Sequence, residues 1–148
     1  MKLLTYIIAI IVILADQLSK YSLKGKSIKL TSFFWINFTE NMGGAFSLFQ
    51  GARILFIVIA IIIIVILARY IKYIKKPILA ISFGFMLGGI MGNLIDRIFL
   101  GHVIDFIDFR IWPVFNLADT FIVIGIILLI SYSIKGKKLL KKPIKEHN

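Results

Sequence analysis

Between residues 54 and 74 the chain holds an unbroken apolar run, 59–67, inside a segment long enough to cross a bilayer. About 20 helical residues span the roughly 30 Å of a hydrocarbon core. Three more segments qualify, at about 3–23, 77–95 and 113–134. Pro77 and Pro113 suit helix starts, because the N–H that proline lacks would be unpaired in a first turn anyway. The expected fold is an all-α membrane protein of four transmembrane helices, forming a single domain over residues 1–148. The composition agrees: 59% of residues are hydrophobic and 17% charged, a balance typical of membrane proteins.

The first segment has a basic start and an apolar run, as a cleavable leader would. It lacks a small-x-small cleavage site, since Ala15 is preceded by bulky Ile13 and followed by Asp16-Gln17. It reads as a retained anchor. The net charge of +11 does not point to nucleic acid, because the basic residues cluster at the ends of apolar runs, with six lysines in the last fourteen residues. That pattern follows the positive-inside rule, with attraction to anionic lipid headgroups as a secondary effect. Lys2, the connection after the second segment and the tail carry eleven basic residues; the other side carries seven. Both termini are therefore expected in the cytoplasm, although Lys24, Lys26 and Lys29 run against the asymmetry.

The connection from about 21 to 53 alternates at Ser27-Ile28-Lys29-Leu30-Thr31 and is rich in aromatic residues over 33–38. β-Branched and aromatic enrichment predicts short strands, hence a small sheet on the outer surface. Asn37-Phe38-Thr39 matches a glycosylation sequon, a pattern too short to carry weight. In the third segment Gly84, Gly88 and Gly92 recur every four residues beside Gly89. Such a stripe lets another helix approach closely and would hold Asn93 tightly near the outer end.

The chain has seven acidic residues, and four of them, Asp96, Asp105, Asp108 and Asp119, fall between residues 92 and 119. Carboxylates are costly in or near hydrocarbon, so a cluster there implies a functional site. Asp16 and Lys20 are spaced i, i+4, as are Asn93 and Arg97; Asn116 and Asp119 are spaced i, i+3 in the expected first turns of the fourth helix. Each pair shares one helix face. The loop after the third helix delivers Asp105 and Asp108, and the four-span topology brings all these groups to one membrane face.

Several chemistries can be set aside. The chain has no cysteine, which excludes thiol nucleophiles and thiolate metal sites. His102 and His147 are the only histidines, and the second lies in the tail, so a serine triad is poorly supported. Ser19 and Lys20 are helix neighbours and point about 100° apart. His102 with carboxylates gives thin support for zinc, and neither a metal nor a cofactor is expected. Two carboxylates remain: a close pair shares a proton, so one can act as base toward water and the other as acid toward a carbonyl oxygen or leaving nitrogen.

Gly92-Asn-Leu-Ile-Asp-Arg97, Gly101-His-Val-Ile-Asp-Phe106 and Phe115-Asn-Leu-Ala-Asp119 strongly resemble motifs of the lipoprotein signal peptidases, the bacterial type II signal peptidases. Asp16-Gln-Leu-Ser-Lys20 and Asn41-Met-Gly-Gly-Ala-Phe-Ser47 resemble the two upstream motifs of that family. The resemblance implies an intramembrane aspartyl protease of the bacterial cytoplasmic membrane with an extracytoplasmic β-cradle. It implies removal of signal peptides from diacylglyceryl-modified prolipoproteins. Asp105 and Asp119 become the catalytic pair by this resemblance. Asp16, Lys20, Asn41, Gly43, Asn93, Arg97 and Asn116 become residues that support the site or bind the substrate backbone. Arg97 is expected to pair with Asp96 or a nearby carbonyl, and Asp108 is expected as a surface loop acid. Gly43-Gly44 stands where the family more often has glycine followed by alanine. The expected partners are the prolipoprotein and membrane lipids, with the enzyme a monomer.

Two rivals use the same residues differently. In a proton- or ion-coupled transporter Asp16, Asp105 and Asp119 would relay protons, but such groups usually sit near the midplane of repeated halves. In a structural subunit the polar cluster would serve assembly, and Asp105 and Asp119 would be dispensable.

Overall fold

The computed structural model describes residues 1–43 and 52–140, excepting the side chains of 136–140. Gly44 to Ser47 of the second upstream motif and the lysines beyond 140 lie outside the described residues. The elements in chain order are α1 (Lys2–Leu23), β1 (Ser27–Lys29), β2 (Trp35–Asn41), α2 (Arg53–Ile71), α3 (Pro77–Phe99), β3 (Val103–Asp108) and α4 (Leu117–Leu140). Among the described residues four helices are long and apolar enough to cross a membrane.

Helix α3 is the hub, packed against α1, α4 and α2. Small residues make this possible. A side-chain carbon at Gly88 would lie 2.6 Å from Val12 Cβ and 2.7 Å from the Ala9 carbonyl. One at Gly92 would lie 2.6 Å from Asp16 Oδ2. The expected stripe therefore faces α1, while Gly89 turns to α4 and abuts the Ala118 carbonyl. In α1 the buried residues are Thr5, Ala9, Val12, Asp16 and Lys20, a three-and-four spacing that forms one face. That face carries small side chains at Thr5, Ala9 and Val12 and charged ones at Asp16 and Lys20. Helix α2 buries only Ala60, Leu67 and Ile71, and its outward isoleucines and valines suit lipid. Leu67 and Ile71 join Ala9, Ile74, Ala80 and Leu87 in the apolar core, toward the end of the bundle where α2 leads into α3.

The described strands form an antiparallel sheet in the order β1-β2-β3. Ser27 pairs with Asn37 and Lys29 with Trp35. Trp35 pairs with Asp108 and Thr39 with Asp105, with a register irregularity between Ile36 and Thr39. The sheet expected from residues 27–38 is present, and it gains a strand where a loop was expected. Val103–Asp108 is buried at five of six positions, so it shows no alternation between an inner and a wet face.

Helix boundaries also differ. The fourth helix begins at Leu117 rather than Pro113, because Phe115 is held extended by backbone bonds with Ile107 in both directions, at 2.8 and 3.1 Å. Asn116 thus precedes the helix instead of lying within it. Helix α3 continues to Phe99, past the expected end at 95. Helix α2 stops at Ile71, where turns closed by Tyr73 and Ile74 replace the expected continuation to 74.

Candidate active site

Asn116 and Asp119 form a reciprocal helix cap. The Asp119 N–H donates to Asn116 Oδ1 at 2.9 Å, and the Asn116 N–H donates to Asp119 Oδ2 at 3.3 Å. This is the capping-box arrangement, which satisfies otherwise unpaired donors at a helix start. It also orients the Asn116 amide. With Oδ1 occupied by a donor, Nδ2 points the other way and donates to Asp105 Oδ1 at 2.7 Å. It also lies 3.0 Å from Asn93 Oδ1 and 3.2 Å from the Ile104 carbonyl. Asn116 is fully buried and touches both candidate catalytic carboxylates.

Asn93 is oriented by the same logic. Lys20 Nζ, which can only donate, lies 3.1 Å from Asn93 Oδ1. Asn93 Nδ2 is therefore free to donate to Asp119 Oδ1, at 2.8 Å. On the sheet side, Asn41 Nδ2 donates to Asp105 Oδ2 at 2.9 Å, and the Gly43 N–H donates to Asn41 Oδ1 at 3.0 Å. Asp105 and Asp119 line one cavity of about 480 Å³ with Asn41, Asn93 and Arg97. The rest of its wall is largely apolar and includes Trp112 and Val123, which are 63% and 55% exposed on the outer surface of the protein.

Behind the pair lies a buried ionic cluster. Lys20 Nζ is 2.7 Å from Asp16 Oδ2 and 2.9 Å from Asp96 Oδ2. Gln17 Nε2 donates to Asp96 Oδ1 at 2.9 Å and lies 3.2 Å from Asp16 Oδ2. The remaining lone pairs take backbone donors: the Ala118 N–H reaches Asp16 Oδ1 at 3.0 Å, and the Ile104 N–H reaches Asp96 Oδ2 at 3.2 Å. Buried charges persist when they are paired and hydrogen-bonded in this way. The cluster ties α1, α3, β3 and the start of α4 together.

All nine candidate residues named from the sequence meet at this end of the bundle. Asp16, Lys20, Gly43 and Asn116 do not line the cavity; Asp16 lies behind it, bonded to Lys20 and to the Ala118 N–H. Asp96 and Gln17 are structural partners that the sequence did not assign. Of the two partners expected for Arg97, the nearby carbonyl holds, with Arg97 Nη1 donating to the Asn93 carbonyl at 3.4 Å, and Asp96 does not. Neighbours on a helix diverge by about 100°, so Asp96 turns to Lys20 while Arg97 stacks on the Phe56 ring at 4.9 Å and reaches the Gly43 carbonyl at 3.4 Å.

Asp108 is not a surface loop acid: it is 4% exposed, at the end of β3. It accepts the Arg110 N–H at 2.7 Å, Arg110 Nη1 at 3.2 Å and Asn37 Nδ2 at 3.3 Å. These bonds hold Arg110 at a φ of 64°, in the left-handed region that bulky residues seldom adopt. Burial pushes the Asp108 carboxyl up, but the donors from Arg110 and Asn37 outweigh it and leave it below the usual range. Asp105 goes the other way, to about 7: burial raises it most, the Asp119 charge adds to the rise, and Asn41, Asn116 and Lys20 oppose it.

Comparison with known proteins shows the family. Residues 8–135 match the family described as signal peptidase (SPase) II. A lipoprotein signal peptidase of Halothermothrix orenii is 43% identical, with 92% of this chain and 99% of the relative aligned. One of Moorella thermoacetica is 40% identical, over 83% and 87% of the two chains. A solved bacterial membrane enzyme superposes with a TM-score of 0.84 at 31% identity, covering 95% of this chain and 94% of its own. A second gives 0.74 at 32% identity, covering 94% of each chain. With its motifs in order along nearly the whole length, this chain belongs to the signal peptidase II family.

Proposed function

We propose that the chain, as a single domain and a monomer, is an aspartyl endopeptidase of the bacterial inner membrane. It removes signal peptides from diacylglyceryl-modified prolipoproteins at the outer face. The observation that carries this reading is that Asp105 and Asp119 line one cavity, each held by an oriented asparagine amide and both bonded to Asn116. With Asp105 raised to about 7, the working form of the pair carries one proton, because two close carboxyls do not both ionise readily. The ionised carboxylate takes a proton from water, whose oxygen attacks the scissile carbonyl carbon, while the protonated carboxyl gives its proton to the carbonyl oxygen. Collapse of the tetrahedral intermediate breaks the C–N bond, and the nitrogen leaves with a proton from the pair. No covalent enzyme intermediate forms.

The mixed wall of the cavity supports a lipid-modified substrate. Its polar side can pair the N–H and C=O groups of an extended peptide, which would otherwise go unmet in lipid. Its apolar side runs into lipid-facing residues of α4, so a substrate tethered by acyl chains can enter sideways. Each buried methylene contributes about 0.8 kcal/mol, so the acyl chains supply much of the binding. The segments 33–38 and 41–47 are the candidates for clamping the substrate over the pair. The transporter reading is disfavoured because Asp119 sits in the first turn of its helix and Asp105 lies on β3, outside the membrane-spanning helices, rather than at the midplane.

The test is cleavage of a precursor, lipid-modified or unmodified, by the wild type and by Asp119→Asn in detergent micelles. The reading expects rapid cleavage only of the modified precursor and only by the wild type. Equal rates on both precursors would remove the lipid requirement, and an active Asp119→Asn would remove the aspartyl mechanism.

A further inference from the structure

We infer that Arg53, the first residue of α2, is a positioning residue for the aspartate pair, acting through Arg97, Gly43 and Asn41. This rests on the aspartyl reading above. Arg53 Nε donates to the Arg97 carbonyl at 2.6 Å, and Arg53 Nη2 donates to the Ile98 carbonyl at 2.9 Å. Both carbonyls lie in the last turn of α3, where the helix supplies no further N–H partners. A guanidinium offers its donors in a rigid fork, so two bonds fix both spacing and angle between the start of α2 and the end of α3. Phe56 lies one turn along the same face of α2 and carries the Arg97 guanidinium on its ring, 4.9 Å away. One face of α2 therefore holds Arg97 by backbone and side chain together.

From Arg97 the connections lead to the site. Arg97 Nη2 donates to the Gly43 carbonyl across a long 3.4 Å. The Gly43 N–H donates to Asn41 Oδ1 at 3.0 Å, which aims Asn41 Nδ2 at Asp105 Oδ2, 2.9 Å away. Simple anchoring of α2 does not need this clamp. The buried Leu67 and Ile71 already hold α2 at its other end, and Arg53 itself is exposed. The polar clamp is at the end nearest the site, so movement of that end passes to Arg97 first.

The charged groups facing Asp105 are Asp119 from α4, Lys20 from α1 and Arg97 from α3. The sheet contributes the neutral Asn41 amide, which favours the ionised form of Asp105. Releasing Arg53 loosens Asn41, and Asp105 then holds its proton more tightly.

The full-length protein in detergent micelles is compared as wild type, Arg53→Ala, Arg53→Lys and Asp119→Asn. Three quantities are read: kcat and KM on a lipid-modified precursor, the thermal unfolding midpoint, and the Asp105 titration midpoint by carboxyl ¹³C NMR. Arg53→Ala is expected to lower kcat about tenfold, the scale of one lost charge-assisted hydrogen bond, with KM little changed. Its Asp105 midpoint moves upward from about 7. Arg53→Lys, with charge but no fork, falls between Arg53→Ala and the wild type. Wild-type kcat and midpoint in both Arg53 variants overturn the inference. So does a lowered unfolding temperature with an unmoved Asp105 midpoint, which makes Arg53 a clamp for stability alone. Full cleavage by Asp119→Asn would instead sink the aspartyl reading, and the Asp105 midpoint would still decide whether Arg53 acts on that carboxyl.

Discussion

Replacing Asp105 with asparagine should abolish cleavage and should spare the protein the loss of stability that the wild type suffers as pH rises through neutrality. Asp105 is 2% exposed, and its carboxyl rises from 3.8 to about 7, chiefly through burial. The sign follows from linkage. A carboxyl that binds its proton more tightly when folded contributes stability that is fully present below the unfolded value of 3.8 and is lost as pH rises through about 7. Between pH 5 and pH 8 the loss runs over roughly two pH units at full slope, about 1.4 kcal/mol each, or about 3 kcal/mol in total. Asparagine cannot ionise and escapes this loss. Its own cost, one amide N–H turned toward the donors of Asn41 or Asn116, does not depend on pH and cancels in the comparison. The assay is equilibrium unfolding of both proteins in mixed micelles, followed by circular dichroism at pH 5 and pH 8. The variant should gain about 3 kcal/mol on the wild type between the two pH values. Parallel stability curves would refute the reasoning, because Asp105 would then not titrate across neutrality in the folded protein.

Wild-type cleavage should decline on the alkaline side of about 7 as the pair loses its shared proton, and a pH–rate profile of kcat/KM would reveal this limb. Asp119→Asn should be inactive and should lower the Asp105 midpoint measured by NMR, because the Asp119 charge contributes to its rise. Lys20→Met should destabilise the fold by about 3–5 kcal/mol, the scale for breaking a buried ion pair, since Asp16 and Asp96 both lose their cation; thermal unfolding measures it. Because the chain has no native cysteine, a cysteine introduced at position 75 should resist an impermeant thiol reagent in intact cells, and one at position 26 should react.

The four spans and the face-sharing pairs could be read from the sequence because both depend on local periodicity. Asp16 with Lys20 and Asn93 with Arg97 follow from helix geometry alone. What escaped depended on partners distant in the chain. Of the two partners the sequence offered Arg97, a nearby carbonyl is found and the adjacent Asp96 is not, because the helix turns those two side chains apart and Asp96 meets Lys20 on α1. Asp108 reads as a loop acid because its burial comes from pairing β3 beside Trp35, which no local pattern reports. Pro113 suggested a helix start, but strand-like bonds to Ile107 keep the next residues extended. The better signal was Asn116-Leu-Ala-Asp119, a polar residue followed three positions later by an acid, which is the capping-box spacing.

The ionic cluster also bears on the order in which the protein is built. A ribosome delivers α1 first, and Asp16 and Lys20 lie one turn apart on that helix, able to neutralise one another before any neighbour arrives. The second carboxylate, Asp96, comes only with the end of α3. The backbone donors that satisfy these acids come later still, from Ile104 and Ala118. Asp105 and Asp119 each follow directly on one of these donors, and a nascent chain stalled after β3 has neither the second aspartate nor the Asn116 amide that joins the two. On the aspartyl reading, competence to hydrolyse a peptide bond arrives with the start of α4, so a copy truncated before it and left in the bilayer is inert.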